Sequence, residues 1–371
     1  MNTNNKMGKI LMVLPNDSLG GAEQVLKMIA DYKVKENEIY IYFLKKQTTK
    51  SWEFLKEKNK DKVKISYSKF NLEFISLLFL PLRLMFKNFD YAYTSHVLIT
   101  GLLGLLKKTR LVKIKHFIGR ESTTVFNRFS GMKLNVYKLM YYLGYRELDL
   151  LICQTDNMLN EFEKNLPSVF SKIRVKTIAN PVDLAIIKQK EKETIEINKD
   201  FYMVSAGRLI NEKGFDILIK AFKIIKEEFI NLNLIILGEG KERVNLENLI
   251  KQNKLEDSIK LKGFVQNVYP YFNKASTCVV SSRVEGFPNV LLQMISQNNR
   301  VVSTLCAGGI KDLKGIYMAD TNNHVMLANV IKKSLRDNTD KNRELFDNEL
   351  KNRSIEFFLE KIEFLLNEKI S

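Results

Sequence analysis

Four short stretches of this chain carry residue types suited to holding an anion or a polyhydroxyl group. The first is Leu19-Gly20-Gly21-Ala22-Glu23. Glycines where a strand turns into a helix let backbone N–H groups approach a ligand, and the helix dipole favours an anion there. The stretch is not Gly-x-Gly-x-x-Gly and lacks the Lys-Ser/Thr of a P-loop, so a plain tight turn explains it equally well. The second is Gly207-Arg208-Leu209 with Lys213-Gly214. Two cations on one loop that opens a helix form a diphosphate clamp, Arg offering a planar fork and Lys a point charge. A solvated surface pair is the alternative. The third, Leu237-Gly238-Glu239-Gly240, again permits close backbone approach beneath a nucleotide, or merely turns into a helix. The fourth runs Ser281-Ser282-Arg283-Val284-Glu285-Gly286-Phe287-Pro288-Asn289-Val290-Leu291-Leu292-Gln293. Pro288 suits a first helical turn, and Gln293 then lies far enough along to share one bound molecule with Glu285, each aimed at its hydroxyls.

The elements that must position these loops read as strands alternating with helices. Lys9–Leu14, Glu38–Leu44, Tyr91–Thr94, Leu111–Ile118, Leu148–Cys153 and Lys176–Ala179 are short apolar runs of the kind that form buried parallel strands. Asn180-Pro181 then signals a turn. Asp183–Asp200 is rich in Lys and Glu without an apolar period. The pattern restarts with strands at Phe201–Ala206, Leu232–Leu237, Ser258–Leu261, Ser276–Ser281 and Arg300–Thr304, with a helix over Phe215–Glu228 and another from Pro288. This predicts an α/β chain of two doubly wound, Rossmann-like domains, residues 1–183 and 201–371, joined by a linker at 184–200. The C-terminal helix is free to cross back to the first domain. In such sheets ligands bind beyond the carboxyl ends of the strands, where all four stretches fall.

At 371 residues, 45% hydrophobic and 27% charged, the chain has the composition of a folded protein with room for two cores. Met1–Lys9 is polar, and the apolar runs Phe74–Leu82 and Val97–Leu106 are well short of the ~18–20 residues that span a bilayer. The expectation is a chain that stays in the cytoplasm. Cys153, Cys278 and Cys306 are odd in number and sit among apolar residues, as buried free thiols do. Three histidines with no metal-ligand spacing leave a structural zinc site little to build on. The charge is uneven: residues 1–180 carry 30 Lys and Arg against 16 Asp and Glu, and residues 181–371 carry 29 against 26. A basic first half faces something anionic, and an anionic membrane surface is the expected partner, with Lys-rich surface drift the alternative reading of the same charge. Leu72–Lys87 and Met132–Arg146 mix large apolar residues with Lys and Arg, as interfacial helices do and as buried helices also can. Nucleic acid is not expected, because no basic run is interleaved with aromatics and no recognition motif is present.

Taken in order, Gly-Gly-Ala-Glu, Gly-Arg-Leu with Lys-Gly-Phe-Asp, Leu-Gly-Glu-Gly and Glu-Gly-Phe-Pro-Asn-Val-Leu-Leu resemble the family 4 retaining glycosyltransferases. Ile178-Ala179-Asn180-Pro181-Val182-Asp183 joins them at the domain junction. The resemblance implies the GT-B fold, two Rossmann-like domains facing across a cleft. It implies transfer of a hexose or N-acetylhexosamine from a nucleotide-sugar, a UDP-sugar in this reading. The acceptor it implies is a saccharide carried on a polyprenyl-diphosphate lipid in surface polysaccharide assembly at the inner face of the cell membrane. Arg208 and Lys213 would hold the donor diphosphate and stabilise the leaving nucleotide. Glu285 would contact hydroxyls of the transferred sugar. Gly21, Gly207 and Gly238, with Phe287, Pro288 and Asn289 of the fourth loop, would line the donor, and backbone at Phe264 would meet the base.

Two positions depart from the family pattern. The second carboxylate expected on the ribose is Gln293 here, which offers one neutral acceptor in place of two anionic ones and weakens nucleotide binding by about 1–2 kcal/mol. Where relatives often carry a His in the first domain, this chain has Gly119-Arg120-Glu121-Ser122-Thr123, which makes Glu121 the candidate for orienting the acceptor, with His96 a lesser one. No Asp-x-Asp occurs, so no metal or other cofactor is expected and the two cations neutralise the diphosphate instead. The rival readings are a sugar-nucleotide epimerase or phosphorylase on the same fold and a non-catalytic nucleotide-sugar-binding protein.

Overall fold

Alternation along the first strand already places two cores. In β1 (Gly8–Leu14), Leu11 and Val13 pack into one hydrophobic cluster while Ile10, Met12 and Leu14 pack into another on the opposite face. A strand buried on both faces must be central. The computed structural model, which describes residues 7–45, 51–70, 72–123, 125–194 and 201–368, bears this out.

The chain divides into two compact units, Met1–Pro181 with Ile355–Ser371, and Val182–Ser354. The first holds a parallel sheet in the order β3-β2-β1-β4-β5-β6-β7. Its remaining strands are β2 (Asn37–Phe43), β3 (Val63–Tyr67), β4 (Asn88–Thr94), β5 (Lys113–Glu121), β6 (Leu150–Cys153) and β7 (Val175–Thr177). The second holds a parallel sheet in the order β10-β9-β8-β11-β12-β13. Its strands are β8 (Tyr202–Ala206), β9 (Asn233–Leu237), β10 (Ile259–Gly263), β11 (Thr277–Val280), β12 (Val301–Thr304) and β13 (Tyr317–Ala319). Strand order reverses between β1 and β4 in one sheet and between β8 and β11 in the other. These switch points open the crevices in which doubly wound folds bind ligands.

Several helices carry the argument that follows: α1 (Gly21–Lys33), α2 (Glu73–Leu84), α3 (Val97–Lys108), α4 (Gly131–Gly144), α5 (Leu184–Lys190), α6 (Phe215–Lys226), α7 (Asn289–Ile295) and α8 (Ile355–Asn367). Helices α3 and α4 cross at backbone contact. A methyl group on Gly104 would sit 2.0 Å from the Gly144 carbonyl oxygen, and one on Gly144 would sit 1.9 Å from that of Gly101. Only glycine permits that approach.

Two boundaries of these units are set by helices. The segment 184–200, expected as a linker, begins with helix α5. The Asp183 carboxylate accepts the Ile186 N–H at 2.9 Å, and Ile187 is buried in the second unit's core. One buried residue in a Lys-rich turn of helix leaves no apolar period to detect. Residues 195–200 of that linker lie outside the described residues. At the other end α8 packs Ile355, Phe358, Leu359 and Ile362 into the first unit's core, and Glu363 takes an ion pair from Lys33 of α1 at 2.7 Å.

Candidate functional site

At the switch point of the second sheet, β8 and β11 end side by side and their loops interlock. After β8, Gly207 donates to the Leu237 carbonyl at 2.9 Å and Leu209 to that of Glu239 at 2.9 Å, which binds this loop to the one after β9. A side chain on Gly238 would put its Cβ 1.9 Å from the Gly207 carbonyl oxygen, and Gly238 has φ +143°, so the third motif's glycine is required by this contact. A short 3-10 turn, Asn211–Lys213, leads through left-handed Gly214 into α6. Gly214 in turn lies against the Ser281 carbonyl, where a Cβ would come within 2.2 Å.

These constraints bring Lys213 and Glu285 together. Lys213 Nζ lies 2.5 Å from Glu285 Oε1, and both side chains are less than one-fifth exposed. Ser282 Oγ donates to the same carboxylate oxygen at 2.8 Å, and the Glu285 N–H donates to the Cys306 carbonyl at 2.8 Å. Arg208 is exposed on the loop after β8, with no hydrogen bond or ion pair from its side chain among the described residues. Phe287 and Pro288 are buried, with the Arg353 guanidinium 5.0 Å over the Phe287 ring, so these two anchor the loop from beneath. Asn289 begins α7, with Pro288 in the position just before it. Gln293, half-buried on α7, lies within hydrogen-bonding range of the Tyr269 hydroxyl, whose pKa burial pushes up to about 12. Phe264, after β10, is 76% exposed, next to Gly263, whose carbonyl accepts the Gly238 N–H at 2.8 Å.

The first unit departs from expectation at Glu121. Strand β5 runs on to this residue and turns its side chain into the core, where it is 5% exposed. Tyr141 and Tyr145 donate to its two oxygens at 2.9 and 3.0 Å. Burial pushes its carboxyl up to about 7, opposed by both tyrosines and by Arg120. A carboxyl so enclosed is a core group and does not present itself to an acceptor. Arg120, equally buried, is lowered to about 10 by desolvation and donates to Asn180 Oδ1; Asn180 donates to Gln154, which donates to the Glu121 carbonyl. The Asn of the junction motif thus closes a buried polar chain. His96, at the end of β4, places Nε2 3.1 Å from Glu23 Oε1 on α1, across the first sheet's switch point. Gly21 opens α1 there.

A family model described as "Glycosyl transferases group 1" matches residues 187–353, the unit that holds these interlocked loops. The second unit is similar to this family over that stretch. Among similar proteins, an N-acetylgalactosamine-N,N'-diacetylbacillosaminyl-diphospho-undecaprenol 4-alpha-N-acetylgalactosaminyltransferase of Campylobacter jejuni is 32% identical over 254 residues, 67% of this chain and 66% of that one. An uncharacterised glycosyltransferase of Methanocaldococcus jannaschii is 30% identical over 189 residues, 49% of this chain and 46% of that one. The chain thus spans less than two thirds of the length of these relatives. HepE of Anabaena, solved with UDP and glucose, superposes with a TM-score of 0.75 at 17% identity, covering 97% of this chain and 100% of that one. That likeness shows the shared fold, the GT-B pair of Rossmann-like domains.

One pair in this site escaped the sequence reading. Arg283 forks onto Asp216, Nη1 to Oδ1 at 2.9 Å and Nη2 to Oδ2 at 2.7 Å. Both residues stand inside quoted motifs, Asp216 in Lys-Gly-Phe-Asp and Arg283 just before Glu285. Opposite charges in two loops already assigned to one site were the available signal. Burial pushes the Asp216 carboxyl up, but the Arg283 fork and the N–H groups of Asp216 and Ile217 outweigh it and hold the pKa below the usual carboxylate range.

Proposed function

We propose that the protein is a retaining glycosyltransferase that moves a hexose or N-acetylhexosamine from a UDP-sugar to a lipid-linked saccharide. The observation that carries this reading is the meeting of Lys213 and Glu285 at the switch point of the second sheet, with Arg208 exposed on the same loop as Lys213. Arg208 and Lys213 bind the donor diphosphate and neutralise the charge that grows on the leaving nucleotide. Glu285 accepts from hydroxyls of the transferred sugar. An ammonium has three N–H donors, so Lys213 can keep one on Glu285 while giving others to phosphate oxygens. Backbone at Gly207 and Gly238 meets the diphosphate, backbone at Phe264 meets the base, and Gln293 gives the ribose a single neutral acceptor. Arg208 and Lys213 do the neutralising work, so the reaction runs without a metal. Support for UDP and for a lipid-linked acceptor comes from the names of the similar proteins above.

The same reading places the first unit on an anionic membrane surface at the inner face of the cell membrane. On α2 the inner residues Ser76, Leu80 and Leu84 are buried, while Phe74, Leu78 and Leu82, four residues apart, stand 72%, 63% and 67% exposed. On α4, Met132, Val136, Leu139 and Leu143 form a second exposed apolar stripe. Arg83, Lys87, Lys133, Lys138 and Arg146 flank these stripes. Apolar stripes with basic flanks are what shallow docking on anionic lipid requires. Among the described residues, no helix is long and apolar enough to cross a membrane.

The test is nucleotide release from a panel of UDP-sugars with and without polyprenyl-diphosphate-linked saccharides. The reading expects release that depends on the acceptor. Release without any acceptor, with a changed sugar left behind, would favour epimerase chemistry.

A further inference from the structure

We propose that Arg283 and Asp216 are positioning residues of the donor clamp, an ion pair that fixes Lys213 opposite Glu285 before any ligand arrives. The inference rests on reading Arg208, Lys213 and Glu285 as that clamp. Lys213 lies in a short loop between β8 and α6, and a lysine side chain has four rotatable bonds of its own. Something must hold the loop if its ammonium is to meet Glu285 reliably.

Arg283 is that hold. Its Nη1 donates to the Asn211 carbonyl at 2.5 Å, at the start of the turn that ends in Lys213. Both Nη atoms grip Asp216, which sits in the first turn of α6 just beyond Gly214. The Arg283 backbone N–H donates to the Glu212 carbonyl at 2.8 Å, and Ser281 Oγ to the Lys213 carbonyl at 3.0 Å. One guanidinium therefore bridges both ends of the turn. Its own loop, after β11, carries Glu285 two residues further on. The loop bearing the cation and the loop bearing the carboxylate are tied at Arg283, and the 2.5 Å contact of Lys213 with Glu285 follows from that tie.

The geometry is specific to arginine. A bidentate grip on a carboxylate with a further N–H to a carbonyl needs a planar fork with several donors, which an ammonium cannot reproduce in that plane. Arg283→Lys keeps the charge and loses the grip; Asp216→Asn keeps the shape and loses the partner charge. If the pair acts through Lys213, either change weakens UDP binding about five- to tenfold in the wild-type background and adds little once Lys213 is already alanine, because residues acting as one unit are not additive. Melting temperatures should stay close to wild type.

The experiment is calorimetric titration of UDP into the full chain and into Arg283→Lys, Asp216→Asn, Lys213→Ala and the double variants of each with Lys213→Ala. Weakening in the singles that vanishes in the Lys213→Ala background supports the positioning role. Unchanged UDP affinity in both singles overturns it and leaves the donor-clamp reading standing. Equal weakening in both backgrounds also overturns it, because the pair would then support the loops at large. A wild type that binds no UDP overturns the donor-clamp reading itself.

Discussion

Lys213 Nζ and Glu285 Oε1 stand 2.5 Å apart although 72 residues of chain separate them. Shielded on both sides, the pair is the kind whose separation leaves an uncompensated charge. It also sorts the roles within the proposed reaction. Lys213→Ala and Arg208→Ala should each lower transfer at least about tenfold, the ~1.4 kcal/mol of one lost charge contact in the transition state. Glu285→Ala should lower turnover far more than UDP affinity, because its partner is the transferred sugar. Steady-state rates beside UDP titrations check both points; near-normal rates in the Arg208 and Lys213 variants, with unchanged melting, would remove the clamp.

Metal dependence is a second test of the same chemistry. With Arg208 and Lys213 neutralising the diphosphate, transfer should persist in excess EDTA and gain less than about twofold from added Mg²⁺ or Mn²⁺. Complete loss in EDTA, restored by either ion, would contradict it.

The apolar stripes on the first unit lead to a third. Wild-type protein should co-sediment with phosphatidylglycerol vesicles, less so as salt rises. Replacing Phe74, Leu78 and Leu82 together by Ser should abolish most of that binding at physiological salt. These side chains are exposed, so stability should move by only about 0.5 kcal/mol per site. Vesicle binding unchanged by the triple substitution would show that the stripe does not dock.

Burial of Glu121 makes a prediction about pH. Its carboxyl titrates near 4.5 in an exposed setting and is pushed up to about 7 in the folded chain. Below pH 4.5 both states are protonated there. Between the two values the folded state holds the proton and the unfolded state does not, so stability falls as pH rises and the loss is complete above about 7. The size is about 3 kcal/mol. Thermal melts at pH 5 and pH 8 should therefore diverge more for the wild type than for Glu121→Gln. Parallel pH profiles would show that Glu121 is ionised in the core.

Much of this was legible in the residues, for reasons that also explain what was not. The loops at Gly207, Gly238 and Ser281–Gln293 declared themselves because glycine, cations and carboxylates follow buried apolar runs. Strands β3 and β13 did not, since Val63-Lys64-Ile65-Ser66-Tyr67 is a half-exposed edge and Tyr317–Ala319 is only three residues long. Glu121 was misplaced because β5 extends beyond the apolar run that marks it, and only Tyr141 and Tyr145, brought in by α4 and the turn that follows it, show that its side chain points inward. The Arg283–Asp216 pair spans 67 residues of chain, and no local pattern announces a partner at that distance.

The most direct test of the central claim is the anomeric configuration of the product, read by proton NMR on material made from an α-linked UDP-sugar and a lipid-linked saccharide acceptor. The account predicts transfer to the acceptor with the α configuration kept, and loss of that product with Arg208→Ala. A β-linked product would contradict the retaining mechanism. UDP binding without transfer to any lipid-linked acceptor would contradict the proposed enzyme.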